Sequence, residues 1–501
     1  MRKLKTLLPL AVFVFMTVLS TIPALGNDGN EPPVNPWLAD SPWAMSHRNS
    51  YCQASSPYPG PDSVKLRSKA DFTVGNTGLI TIAISSPYPD GSRVLWGSNS
   101  TTVFKADPSG RNITYIDREL KEDLTPSSMV STNEMLSGAY TVIDSENIFY
   151  VPRLTKLYAF GDAVEGDPYS DVVVKRSFEI PATRLRDPEE KIVGMNMTYD
   201  GMVAFVTSHG LVGVVSRSFE TTYFYSFADG EEISNSIACD EDGGIYVVTS
   251  EKMYRVQWTG SELTTDEAKG GWAAAYETGD GASGVRLGAG SGSTPTLMGT
   301  GDQDKFVCIT DGMDLMNIVI FWRDGIPSDW EQVVGTKDLR IAAQVPVTFG
   351  DPDTAYSMSE QSVCIRGYGA LVVNNQLATN WGSDALNMLL SGVIPNAPYG
   401  AEKFEWDPVT RTMKTAWVNE NVSFPNGIPT MSSATNLMYG VGQGLFGTWT
   451  FEALDWSTGE SVFTFAYGAS PACNSAFAAT EIGLDGSLYT GTLFGIARMR
   501  P

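Results

Sequence analysis

The stretch Asn235–Trp258 reads NSIACDEDGGIYVVTSEKMYRVQW. A run of small residues meets an Asp/Gly turn and an apolar run follows. A second turn then leads into an amphipathic run that ends in Trp258. Asp and Gly tolerate the left-handed backbone of tight hairpin turns, and β-branched and aromatic residues suit the pleated runs between them. The same order recurs in VGMNMTYDGMVAFVTSHGLVGVVSRSFE from Val193, in TVIDSENIFYVPRLTKLYAFG from Thr141 and in TEIGLDGSLYTGTLFGIARMRP from Thr480. Further copies begin near Gly78, Ser293, Gln361 and Pro429. Their spacing is uneven and looser than the roughly 40–50 residues of common propeller repeats.

A single small sheet cannot bury both of its faces, whereas sheets set radially in a ring bury them against neighbours. The repeat therefore predicts an all-β chain, a β-propeller of four-stranded blades. Eight blades are favoured and seven is the alternative count. The last copy ends on its third strand at Arg498–Pro501, so the ring must be closed by an N-terminal strand, expected within Val64–Thr73. Three parts follow: residues 1–26, a leader; 27–63, an N-terminal extension; and 64–501, the propeller. The longest interruptions of the repeat, Thr259–Gly292, Ile326–Glu360 and Asn375–Pro398, are expected as rim loops.

The 501 residues are 42% hydrophobic and 11% aromatic, with 49 glycines, a balance that favours strands and turns over helices. The formal net charge of −23 disfavours nucleic acid and anionic lipid as partners. Arg2, Lys3 and Lys5, the apolar run Leu7–Leu19 and the small-residue site Ala24-Leu25-Gly26 have the form of a secretory signal. A secreted or periplasmic protein without a membrane span is expected. The five cysteines, Cys52, Cys239, Cys308, Cys364 and Cys473, show no metal-ligand spacing, and their odd number leaves at least one unpaired.

Two stretches carry a resemblance. SPWAMSHRNSYCQASSPYPGP (Ser41–Pro61) opens with Trp43, Met45, Arg48 and Asn49 before its Pro-rich end, and EALDWSTGESVF (Glu452–Phe463) presents Ala453, Asp455, Thr458 and Gly459. The second resembles the tryptophan-docking motif A-x-D-x-x-T-G-x-x-x-W of the quinoprotein-like β-propeller superfamily, with Phe463 where that family has Trp. The first looks like the opening motif of the same propellers. KADPSGRNITY from Lys105 and EWDPVTRTMKTAW (Glu405–Trp417) are weaker echoes. The resemblance implies the fold. It does not bring the quinone, because the family's quinone-using alcohol dehydrogenases carry an adjacent Cys-Cys pair that this chain lacks. No cofactor is expected, with calcium the one ion the acidic turns suggest.

The chain has only two histidines, His47 and His209. His209, in VTSHGLVG, is expected at a rim turn, and His47 along a blade edge. The simplest catalytic set joins His209 as general base or acid, Arg48 as a stabiliser of negative charge and Tyr51 as proton donor, with His47 in reserve. Asp240, Glu241 and Asp242 form the best calcium candidate, since adjacent carboxylates in a turn suit a hard cation. The expected function is an exported enzyme acting on a small molecule or glycan at the central funnel. The alternative is a non-catalytic propeller that binds a protein or carbohydrate. As a whole, Ser41–Pro61 reads mainly as a seal that holds the first and last blades together.

Overall fold

The computed structural model describes residues 29–501 apart from 66, 76–77, 123, 126–133, 135–136, 280–289, 383–385, 388–395 and 445–446. The leader assigned to 1–26 lies outside them. The chain is an all-β propeller of eight blades. Blade 1 runs outward through Thr81–Ile84, Leu95–Ser98, Thr102–Asp107 and Thr114–Leu120. The innermost strands of blades 2 to 8 are Val142–Ile143, Ile192–Met197, Ala238–Cys239, Thr296–Met298, Cys364–Arg366, Thr430–Ser432 and Thr480–Ile482.

The ring closes as the repeat requires. Blade 8 takes three strands from the C-terminus and its outer strand, Lys69–Val74, from the N-terminus, in register from Lys69 opposite Arg500 to Val74 opposite Gly495. Two of the expected insertions supply outer strands instead of rim loops. Thr259–Gly292 contributes Trp272–Ala275, paired with Lys252–Arg255, and Ile326–Glu360 contributes Ile341–Pro346. Long, irregular connections before a fourth strand mimic insertions in sequence.

Turn chemistry sets each hairpin. In blade 4, Asp240 Oδ1 accepts from the backbone N–H of Asp242 (3.0 Å) and of Gly244 (2.7 Å). Gly243 has φ of 81°, and a Cβ there would stand 2.4 Å from the Trp258 carbonyl oxygen. Adjacent blades lock through aromatics. Trp417, in the outer strand of blade 6, lies over Gly459 of blade 7, where a Cβ would be 2.4 Å from the ring. Its indole N–H donates to the Trp456 carbonyl at 2.9 Å. The docking motif is thus split between two copies: one supplies the glycine turn, the other the tryptophan. Phe463 is buried within blade 7 against Tyr439.

The N-terminal extension lies inside the ring. Its carbonyls accept backbone N–H groups from successive inner strands: Trp43 from Ile84 (2.7 Å), Ala44 from Ile143 (2.9 Å), Ser50 from Cys239 (2.8 Å), Tyr51 from Leu297 (2.9 Å), Gln53 from Ile365 (3.0 Å) and Ala54 from Met431 (3.0 Å). Blade 3 joins through the Asn196 side chain, which donates to the Ser50 carbonyl at 3.1 Å. Ser55–Ser56 then pairs in parallel with Met431–Ser432. This path requires tight curling, and Arg48, Cys52 and Ala54 take positive φ. The sequence reading of a seal holds in kind but not in place. The segment is a plug bonded to blades 1 to 7 across the central opening, not a staple between the first and last blades.

Candidate functional site

Inner strands begin at one face of the ring and end at the other, and the plug bonds them near their ends. The channel they surround is therefore closed at the plug and open at the face where they start. It forms a cavity of about 290 Å³. Apolar walls come from Ile80, Ile82, Val193, Ile233, Val248 and Ile428, and polar groups from Glu189, Lys191, His209, Glu232, Glu360 and Glu481.

Glu481 is the unusual member. It sits in the inner strand of blade 8, is 2% exposed, and its Oε2 has no hydrogen-bond partner. Burial pushes its carboxyl well above the usual carboxylate range, because desolvation disfavours the charged form. The loop before it, Ala476–Ala479, also lines the channel, and Ala476 and Phe477 both take positive φ. Two successive non-glycine residues in that region are strained. A buried amide pair holds them: Asn426 Nδ2 donates to Asn474 Oδ1 at 2.7 Å, and the Ala476 N–H donates to the same oxygen at 2.9 Å.

His209 stands at the open mouth, as its rim turn suggests, with Nδ1 3.0 Å from the Ser208 hydroxyl. The other predicted catalytic residues are not brought to it. Arg48 belongs to the plug, where its Nη1 donates to the Ser55 carbonyl at 2.5 Å and to Glu31 at 3.2 Å. Tyr51 is fully buried, and its hydroxyl donates to Glu241 Oε2 at 2.5 Å. Burial is the main cause that raises the Tyr51 phenol, which leaves it a poor proton donor. The set of His209, Arg48 and Tyr51 therefore does not assemble, because the plug carries two of its members into the ring's interior contacts.

His47 is also misplaced by the sequence reading. It lies in the centre, not along a blade edge, with Nε2 3.2 Å from the Thr294 hydroxyl and 3.4 Å from that of Ser362. Its ring is 5.6 Å from that of Tyr140, which lines the channel. It is wholly buried, its Nδ1 is unpartnered, and burial lowers its pKa to about 4.

The acidic triplet is divided among structural tasks. Asp240 is buried, accepts from the Tyr246 hydroxyl at 2.5 Å and pairs with Arg255 at 3.2 Å. Glu241 takes the Tyr51 hydroxyl, and the Asp242 carbonyl accepts from Gln257 Nε2 at 2.7 Å. Among the described residues no three His, Cys, Asp or Glu side chains converge as a metal site.

Sequence reasoning passed over Glu481, Lys191 and Glu360. A Glu in the middle of TEI, an inner strand, was the available signal.

No family model matches the chain. An uncharacterized protein of Archaeoglobus fulgidus is 47% identical over 485 residues, which span 94% of this chain and 89% of that protein. Among solved structures, a europium-containing methanol dehydrogenase superposes with a TM-score of 0.50 at 10% identity, covering 90% of each chain. The Dos1 propeller superposes with a TM-score of 0.48 at 12% identity, over 86% of this chain and 93% of its own. The first of these likenesses shows the β-propeller fold and nothing finer. No helix among the described residues is long and apolar enough to cross a membrane.

Proposed function

The chain belongs to one family with the Archaeoglobus fulgidus protein, and from its channel geometry we propose that it is an exported propeller that takes a small molecule into the central channel. One observation carries this reading: a cavity closed at one end holds a buried carboxyl, Glu481, with an unpartnered oxygen. An unpaired buried polar atom costs roughly 1–3 kcal/mol, a cost that a bound ligand removes. Aliphatic walls with a few polar groups are the usual make-up of a small-molecule site. The lining can also move a proton. Glu481 places a carboxyl inside the channel and His209 an imidazole at its mouth, the two group types that general acid–base chemistry uses.

The lining argues against a quinone that carries three carboxylates. Among the described residues Glu189, Glu232 and Glu360 face the channel with Lys191, so such an anion meets like charge. The charged and apolar leader supports export.

The test is a thermal-shift screen of a small-molecule library on the full chain and on Ile428→Trp, which fills the channel. Ligands of the channel raise Tm for the parent and not for the variant. Compounds that stabilise both equally, with none selective for the parent, would refute the reading.

A further inference from the structure

The channel is acidic as well as apolar. Glu189, Glu232, Glu360 and Glu481 line it, with Lys191 the only Lys or Arg among the described residues there. We propose that its ligand is a small organic cation, a primary or secondary amine with an apolar body, whose ammonium group sits on Glu481. The inference rests on the channel reading above and adds the ligand's charge.

The argument starts from Glu481. Its Oε2 is buried without a donor, so a ligand must present hydrogens there. A hydroxyl could present one. An ammonium presents up to three hydrogens and a positive charge, and hydrogen bonds between ions are about twice as strong as neutral ones. Among the described residues no charged neighbour offsets the desolvation of this carboxyl, and burial is the cause of its raised pKa. The positive charge that would ionise it has therefore to come from the ligand.

The walls beside it fix the rest of the molecule. Blade 7 places Ile428 against the strained loop, where the Ile428 N–H donates to the Ala478 carbonyl at 3.0 Å and the Thr480 N–H donates to the Ile428 carbonyl at 2.9 Å. Blade 1 places Ile80 on the other side, its carbonyl against Gly491 of blade 8. Ile80, Ile82, Ile428 and Ala479 offer a dry aliphatic surface to an apolar body. The remaining titratable groups on the channel are Glu189, Lys191, His209, Glu232, Glu360 and Tyr140. Burial raises the Tyr140 phenol to about 12, so it stays neutral.

Binding then has a defined proton balance. The amine enters from water as R–NH₃⁺, Glu481 gives its carboxyl proton to solvent, and the carboxylate–ammonium pair remains. Each bound amine thus displaces the proton that the raised Glu481 carboxyl carries.

The experiment is calorimetric titration of the full chain with benzylamine, benzyl alcohol and benzoate, in two buffers of different ionisation enthalpy. Benzylamine should bind about tenfold or more tightly than benzyl alcohol, with about one proton released, and benzoate should bind least. Glu481→Gln should remove the preference for the amine and the proton release while the alcohol still binds. If the alcohol matches the amine, or if Glu481→Gln leaves amine affinity unchanged, the charge assignment is wrong and the channel reading survives. If none of the three binds, the channel reading falls with it.

Discussion

Arg498 and Asp71 meet across the seam where the two ends of the chain share one blade. Arg498 Nε and Nη2 donate to Asp71 Oδ2 at 2.8 and 2.5 Å, and Nη2 also donates to the carbonyls of Gly110 and Arg111 in blade 1, each at 3.1 Å. Arg498 is fully buried, so this pair joins the closing strand, the C-terminal strand and the next blade at one dry point. Removing Asp71 leaves the buried Arg498 charge uncompensated, and removing Arg498 leaves Asp71 with only the partly exposed Arg500 at 3.4 Å. Arg498→Ala should cost about 3–5 kcal/mol in chemical denaturation. Replacing both residues by apolar ones of similar volume should cost less than either single change, and a double-mutant cycle reads the difference.

The Asn196 side chain ties blade 3 to the plug and also donates to the Ile237 carbonyl at 2.7 Å. Asn196→Ala leaves two buried carbonyls without that donor. A loss of about 1–3 kcal/mol is expected. Hydrogen exchange should speed up most at the Cys52 and Ala54 amides, while the closing strand stays protected.

Gly459 allows Trp417 to dock. Its φ of 75° suits glycine, and the indole fills the space where a Cβ would lie. Gly459→Ala should destabilise by more than about 1 kcal/mol, through strain and overpacking together. A red shift of tryptophan emission in the native state would report the displaced ring. A change neutral in stability would show that this contact is dispensable.

Buried His47 gives a pH signature with a definite sign. Folded, it titrates at about 4; unfolded, near its ordinary 6.5. As pH falls through 6.5 the unfolded chain gains a proton that the folded one refuses. Stability therefore declines from about pH 6.5 to about pH 4 and levels off below, by at most about 3 kcal/mol. Glu481 acts in the opposite direction, since its raised pKa favours the folded state below the unfolded value and loses that gain as pH rises. The His47→Gln variant should lack the decline between pH 6.5 and 4, and the difference from the parent in denaturation curves isolates it.

All five cysteines are free and buried, and burial raises the thiols of Cys52, Cys239, Cys308 and Cys364. A disulfide-exchanging reagent should find no fast thiol in the native protein and five in denaturant. Rapid native labelling of even one would contradict the packing described.

The ring was legible because its signals are local. Each blade writes its own turns, as Asp240 and Gly243 do, and the missing fourth strand of the last copy pointed to the N-terminus. The plug was not legible in the same way. Its partners run from Ile84 to Met431 and are backbone N–H groups in six of the inner strands, and backbone donors leave no mark in side-chain pattern. His47, Arg48 and Tyr51 therefore looked like chemistry when their environment is packing. His209 was found because a turn between strands reaches the rim wherever the blade is placed. Glu481 escaped because one charge within a short strand has meaning only once that strand is known to face the axis.

The plug also sets an order of events. Residues early in the sequence, from Trp43 to Ala54, find their hydrogen-bond partners in strands as late as Met431, and Lys69–Val74 pairs with Gly495–Arg500. The native ring cannot be completed on a partial chain. Contacts of such long sequence separation favour slow and late folding. Closure of the ring is therefore a long-range event that joins segments more than 400 residues apart, from Lys69 to Arg500.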